Sequence, residues 1–151
     1  MVARTAMIDD YLLLDASVLV ELVAEGNHAA SAAQLLKKVA TSPGLGLMTA
    51  PHGLVESAHA LRRMLRSGAL SLEDADRAIE WLNVLDVTFD PSSSRLLRVW
   101  QLREVMSAYD ASYAATAEAL DLQLITVDRR LLRACQTERI PAVHLDEFVA
   151  A

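Results

Sequence analysis

Tyr11-Leu12-Leu13-Leu14-Asp15-Ala16-Ser17-Val18-Leu19-Val20 is the stretch on which the reading of this chain turns. Leu12 to Leu14 is a continuous apolar run, which suits a strand covered on both faces rather than one with a wet side. Asp15 ends it, and Ala16 to Val23 then takes on helical character until Gly26-Asn27 stops it. An aspartate where a buried strand gives way to a helix is a natural N-cap. It is also where open parallel sheets place their functional side chains, beyond the carboxyl ends of the strands.

The same alternation continues outward. A second helix fits His28 to Val39, and Ser42-Pro43-Gly44 makes a turn into a short strand, Leu45 to Thr49. Pro51 opens a helix that runs to Arg66 and closes at Gly68. Ser71-Leu72-Glu73-Asp74 is a capping box for a helix to about Leu85. Val87 to Phe89 reads as a strand, Asp90-Pro91-Ser92 as the cap of a helix through Met106, and Ser107 to Asp110 as the start of an alanine-rich helix to about Leu120. Leu122 to Thr126 is a strand leading to Asp128, Arg129 to Gln136 a helix, and Ala142 to Leu145 a last strand. Strands alternating with helices specify an α/β fold with a parallel sheet. Residues 1–10 read as a leader or as sequence before an alternative start at Met7, and residues 11–151 as a single domain.

Composition narrows the class. The chain has 151 residues, 53% hydrophobic and 23% charged, which favours one compact domain over disorder. Aromatics make up only 5%, so extended base-stacking platforms are not expected. The net charge of −6 rules out a broad electrostatic grip on nucleic acid; any such contact must be local. Lys occurs only at Lys37 and Lys38, and every other cationic side chain but the histidines is Arg, either for its planar fork or through plain compositional bias. The single cysteine, Cys135, excludes an intrachain disulfide and a cysteine zinc cluster. The apolar stretch Tyr11–Val20 is too short to span a membrane, and Asp9, Asp10 and Asp15 interrupt any signal-like start, so a cytoplasmic location is expected.

Four acids stand out: Asp15, Glu56, Asp110 and Asp128. Each has an ordinary explanation. Asp15 and Asp128 are placed as N-caps, Ser107-Ala108-Tyr109-Asp110 matches a capping box, and Glu56 is compatible with a solvated helix face. Were the four to converge, each pair would repel by about 4 kcal/mol at ~4 Å and an effective dielectric near 20. A hard divalent cation relieves that conflict, and an all-oxygen set selects Mg2+ or Mn2+.

The segments Leu13 to Val20, Val55-Glu56-Ser57-Ala58-His59-Ala60-Leu61, Tyr109-Asp110-Ala111-Ser112-Tyr113-Ala114-Ala115 and Leu124-Ile125-Thr126-Val127-Asp128 resemble, in order and spacing, the motifs of the PIN domain. The resemblance extends from Leu12 to about Leu145. It implies a three-layer α/β/α sandwich around a short central parallel sheet, with Asp15, Glu56, Asp110 and Asp128 meeting in a cleft to hold Mg2+ or Mn2+ and cleave RNA. In small bacterial members it further implies a VapC-type toxin that forms a homodimer and is blocked by a small VapB-like antitoxin. Ser17 and Thr126 match as hydroxyls that orient the carboxylates, although ordinary capping explains them too.

Other constellations compete. His52, Glu56 and His59 share a helical face and invite a zinc reading, without the His-Glu-x-x-His pattern. Arg62, Arg63 and Arg66, and Arg129, Arg130 and Arg133, are placed to touch RNA phosphates if their helices border the cleft, as is His59; solvated helix faces are the alternative. An aspartate-based phosphotransfer enzyme is disfavoured because Ser17 stands where a second Asp belongs and no Lys follows Lys38. A catalytically silent binding module of the same fold remains open.

Overall fold

The computed structural model describes residues 8–90 and 95–151. A five-stranded sheet, all parallel, forms the middle layer: β1 (Asp10–Leu14), β2 (Leu45–Thr49), β3 (Thr88–Phe89), β4 (Leu124–Thr126) and β5 (Ala142–His144), in the order β3-β2-β1-β4-β5. Among the described residues eight helices connect and cover it: α1 (Ala16–Val23), α2 (Ala29–Thr41), α3 (Gly53–Ser67), α4 (Leu72–Val84), α5 (Leu96–Gln101), α6 (Ala108–Leu120), α7 (Arg129–Thr137) and α8 (Leu145–Ala150).

The period of two explains the layers. Leu13 and Leu14 point to opposite faces, as do Leu47 and Met48, and Leu124 and Ile125. On one side Leu13, Met48 and Leu124 pack with Leu102, Tyr113, Leu131, Cys135 and Ile140. On the other, Leu14, Leu47 and Ile125 pack with Val18, Leu19, Leu35, Leu61, Leu82 and Leu145. Two cores on one sheet are why the central strands read as apolar runs, and the expected three-layer α/β/α sandwich is what they build.

β1 sits in the middle, with β2 on one flank and β4 on the other. The order of strands reverses beside β1, and such a switch point opens a crevice at the carboxyl ends of the strands. Leu14, Thr49, Phe89, Thr126 and His144 are the last residues of their strands and lie along that one edge.

Several element boundaries differ from the sequence reading. β1 begins at Asp10, two residues early, because the N–H groups of Asp9 and Asp10 both donate to the Gly44 carbonyl at 2.8 and 3.1 Å. α3 begins at Gly53, not Pro51: residues 50 to 53 make a turn closed by the Gly53 N–H on the Ala50 carbonyl. The helix expected to run through Met106 stops at Gln101, where the N–H groups of Leu102 and Arg103 fall back on carbonyls three residues earlier and the chain unwinds through turns. α8 was not anticipated; its six residues follow β5 directly. The proposed caps at Asp15, Ser71, Ser107 and Asp128 all form. Met7 and the Pro91-Ser92 part of the cap ahead of α5 lie outside the described residues. No helix among those described is long and apolar enough to cross a membrane.

Candidate active site

Asp15 is the centre of the carboxyl edge. It caps α1 by accepting the Val18 N–H at 3.2 Å on Oδ1, and it is only 5% exposed. Its two oxygens are held by two hydroxyls: Ser17 donates to Oδ1 at 2.6 Å and Thr126 to Oδ2 at 2.7 Å. Those hydroxyls in turn accept backbone N–H groups from the loop after β4, Ser17 from Val127 at 3.1 Å and Thr126 from Asp128 at 2.9 Å. The end of β1 is thereby stitched to the end of β4, and capping and orientation of Asp15 are the same set of bonds.

Burial dominates the electrostatics of Asp15. Desolvation pushes its carboxyl up to about 7, against the lowering effect of Ser17, Thr126 and the Val18 N–H, and the Asp128 carboxylate adds to the rise. Asp128 caps α7, accepting the N–H groups of Arg130 and Leu131 on Oδ1 at 2.8 and 3.3 Å. Asp110, in the first turn of α6, is half-buried and held above its usual range first by desolvation and then by the Asp128 carboxylate. Glu56, in the first turn of α3, is raised by desolvation and by the Asp110 carboxylate. The four acids therefore form a chain of mutual influence, Glu56 to Asp110 to Asp128 to Asp15. Among the described residues these four acids do not form a tight group of three donor atoms.

Gly53 sets how close α3 comes. A Cβ at this position would stand 2.3 Å from Thr49 Oγ1, at the end of β2. Only glycine lets the first turn of α3 rest on that strand end, which brings His52 and Glu56 into the crevice. Thr49 is itself fixed, donating to the Leu14 carbonyl at 2.9 Å.

Sequence reasoning missed the aromatic wall of the crevice. Tyr113 is fully buried, its hydroxyl 3.5 Å from Glu56 Oε2, and both burial and the Glu56 charge raise its pKa. His52 packs against Tyr113 and Tyr109 with ring centroids 5.0 and 5.3 Å apart. Its Nε2 lies 3.4 Å from Glu56 Oε2 without hydrogen-bonding geometry, and desolvation lowers its pKa. The spacing of His52 four residues ahead of Glu56 was visible; the tyrosines that bracket it were not.

The zinc reading fails, since His52, Glu56 and His59 do not bring three donor atoms within 4.8 Å. His52, not His59, is the imidazole beside Glu56; His59 faces solvent. Arg62, Arg63, Arg129 and Arg130 are all exposed. Of these, Arg63 acts on the Glu56 carboxylate and Arg130 on Asp110, each lowering the pKa, so these two reach the rim of the acidic cluster.

The arrangement is an oxygen-rich, net-anionic crevice with cationic side chains at its rim, suited to hold a hard divalent cation and a phosphodiester. The family model described as "PIN domain" matches residues 12–136. The chain is 39% identical over 128 residues to Ribonuclease VapC1 of Mycobacterium tuberculosis, covering 83% of this chain and 91% of that protein. A crystal structure of PAE2754 from Pyrobaculum aerophilum superposes with a TM-score of 0.65 at 28% identity, covering 96% of each chain. VapBC2 from Rickettsia felis, bound to a promoter DNA fragment, contains a chain that matches with a TM-score of 0.62 at 15% identity, over 89% of this chain and 98% of that one, a likeness of fold.

Proposed function

The chain belongs to the PIN-domain family, and from that premise we propose that it is an Mg2+- or Mn2+-dependent endoribonuclease, the toxin of a toxin–antitoxin pair. The observation that carries the reading is Asp15: a buried carboxyl lifted to about 7 by its surroundings, beside three further acids at the carboxyl edge of the sheet. Capping α1 needs one oxygen of a charged carboxylate, not a buried one whose charge is disfavoured, and a bound cation would restore that charge.

The residues present fit a hard cation. Asp15, Asp110, Asp128 and Glu56 offer oxygen donors only; burial first, and a neighbouring carboxylate after it, holds Asp15, Asp110 and Glu56 above their usual range, and a bound cation would favour their charged forms. A cation held by these residues would supply positive charge for the phosphodiester and would lower the pKa of a water used for in-line attack. The protein's own part is orientation. Ser17 and Thr126 fix both Asp15 oxygens, and Ser107 and the α6 N-terminus fix the turn that carries Asp110. Tyr113 meets Glu56 from the buried side, and His52 packs against Tyr113 and against the exposed Tyr109. Arg63 and Arg130 at the rim, with Arg62, Arg129 and His59 further out, are positioned to take phosphates on either side of the cut.

Two exposed apolar surfaces support protein partners. One is a groove between α1, α2 and α4, where Leu22, Leu36, Leu70 and Trp81 are edged by Glu21, Glu25, Asp74 and Arg77. The other is the α5 face of Leu96, Leu97 and Trp100. Surfaces of this kind are what a homodimer contact and a small antitoxin would bury. A silent binding module would keep such surfaces but has no need of the acidic cluster.

The deciding assay incubates purified protein with structured RNA at fixed Mg2+, with and without chelator. Cleavage that requires the ion and disappears in Asp15→Asn supports the reading; cleavage that is indifferent to both, or no cleavage of any RNA, rejects it.

A further inference from the structure

Tyr109 carries a large aromatic ring into water beside the acidic crevice. It is the second residue of α6, directly before Asp110, and is 65% exposed. Single exposed aromatics are common on protein surfaces, so exposure alone assigns it nothing. Its seat and its neighbours do.

Tyr109 and Tyr113 are four residues apart on α6 and share one face of the helix, a turn from each other. Tyr113 is fully buried, so that face leaves the core within a single turn, where the acids lie. The His52 ring, at the start of α3, sits against both, its centroid 5.0 Å from that of Tyr113 and 5.3 Å from that of Tyr109. Tyr109 thus rests on a ring that itself rests on the core. A side chain held in this way loses little freedom when a ligand covers it. The planes of Tyr109 and His52 meet at 59° and not in a parallel stack, and ring surface remains open to another flat group.

The surrounding charge decides which flat group suits it. The chain has a net charge of −6 and the crevice holds four carboxylates, so an RNA strand gains little there from the protein's overall charge. A nucleobase is neutral, and stacking it on an aromatic ring adds affinity without opposing that field. Arg130 acts on the carboxylate of Asp110, the next residue along, so a cation for a phosphate stands on the same side. The faces of paired bases are covered by their neighbours in a duplex, whereas an unpaired base can splay out onto a ring.

On the nuclease reading above, we propose that Tyr109 is the stacking platform for one unpaired base of the RNA, so that the site takes single-stranded or looped RNA in preference to duplex. His52 holds the ring in place, and Arg130 meets the phosphate of the stacked nucleotide. The scarcity of aromatics rules out an extended platform, but one base needs only one ring.

The test measures binding of fluorescein-labelled single-stranded oligoribonucleotides to the full chain, with Ca2+ in place of Mg2+ to keep the strands intact. Tyr109→Ala weakens binding roughly 5- to 100-fold, the range of one base–aromatic stack, and Tyr109→Phe, which keeps the ring, restores it. Thermal melts report that both variants fold. Abasic nucleotides placed one position at a time supply a readout that a merely structural role would not move. One position costs the unmodified chain a similar factor and costs Tyr109→Ala nothing further. With Mg2+, the loss in Tyr109→Ala falls on KM more than on kcat, and duplex RNA of the same sequence shows no dependence on Tyr109.

No binding of these strands, equal affinity in Tyr109→Ala, or abasic costs that are the same in both proteins overturns the proposal. So does a Tyr109→Ala variant that changes oligomeric state in size-exclusion chromatography without changing RNA affinity, which would assign the ring to a protein contact. Mg2+-dependent cleavage by the unmodified chain, followed alongside, keeps the two readings apart. Cleavage with binding indifferent to Tyr109 overturns the stacking alone, and Tyr109-dependent binding without cleavage overturns the nuclease alone.

Discussion

The Thr126 hydroxyl donates to Asp15 Oδ2 at 2.7 Å while it accepts the Asp128 N–H at 2.9 Å. One side chain thus sets the position of the buried acid on β1 and the start of the loop that carries a second acid after β4. Ser17 does the same from the other oxygen, and the two hydroxyls lie 3.3 Å apart.

Removing either hydroxyl deprives the Asp15 carboxylate of a hydrogen bond that favours its charged form. Ser17→Ala and Thr126→Ala are expected to raise the Asp15 pKa further and weaken Mg2+ or Mn2+ binding roughly tenfold each. Isothermal titration with Mn2+ reads the change; affinity equal to that of the unmodified chain would show that neither hydroxyl tunes the site.

The Asp15 shift makes stability depend on pH. Its folded pKa of about 7 lies above the 3.8 of a free aspartate, so between those pH values the folded chain binds a proton that the unfolded chain does not. Metal-free stability is therefore highest below about pH 4 as far as this group is concerned, and falls as pH rises toward 7. The ceiling is about 4 kcal/mol. Urea unfolding at pH 5 and pH 8 in chelator should show the chain weaker at pH 8, with the difference shrinking in Asp15→Asn. An equal pH response in that variant would assign the effect to other groups.

Gly53→Ala tests how α3 is seated. Its Cβ would meet Thr49 Oγ1 at 2.3 Å, so strand end and helix must separate. A loss of about 1–3 kcal/mol is expected from overpacking, together with a larger fall in RNA cleavage than stability explains, because the shift carries Glu56 with it. Denaturant unfolding and cleavage rate measured on the same protein separate the two.

Arg129→Ala combined with Arg130→Ala is expected to reduce the salt dependence of RNA binding, by about 1.4 in the log–log slope if both touch phosphate. An unchanged slope would return these side chains to ordinary solvated helix residues.

Much of this was legible in the chain. The apolar runs of β1, β2 and β4 announce a two-faced parallel sheet, and the strand-to-helix aspartates Asp15 and Asp128 mark its carboxyl edge, because burial and capping act locally. What was hidden depends on distance in sequence or on geometry finer than spacing. His52 meets Tyr109 and Tyr113 only after α3 docks against α6, and His28 meets Asp146 only after the last helix returns to the second. α8 escaped because six residues after a strand carry too little periodicity to declare a helix. The early end of α5 escaped because its unwinding is decided by backbone turns, not by side-chain pattern.

The most direct test is the Mn2+ affinity of four single variants, Asp15→Asn, Glu56→Gln, Asp110→Asn and Asp128→Asn, beside Asp74→Asn, an exposed acid on α4, as control. If the four carboxylates serve one cation site, each of the four weakens binding by roughly tenfold or more while Asp74→Asn does not. Binding of undiminished strength in Glu56→Gln and Asp110→Asn would contradict the account.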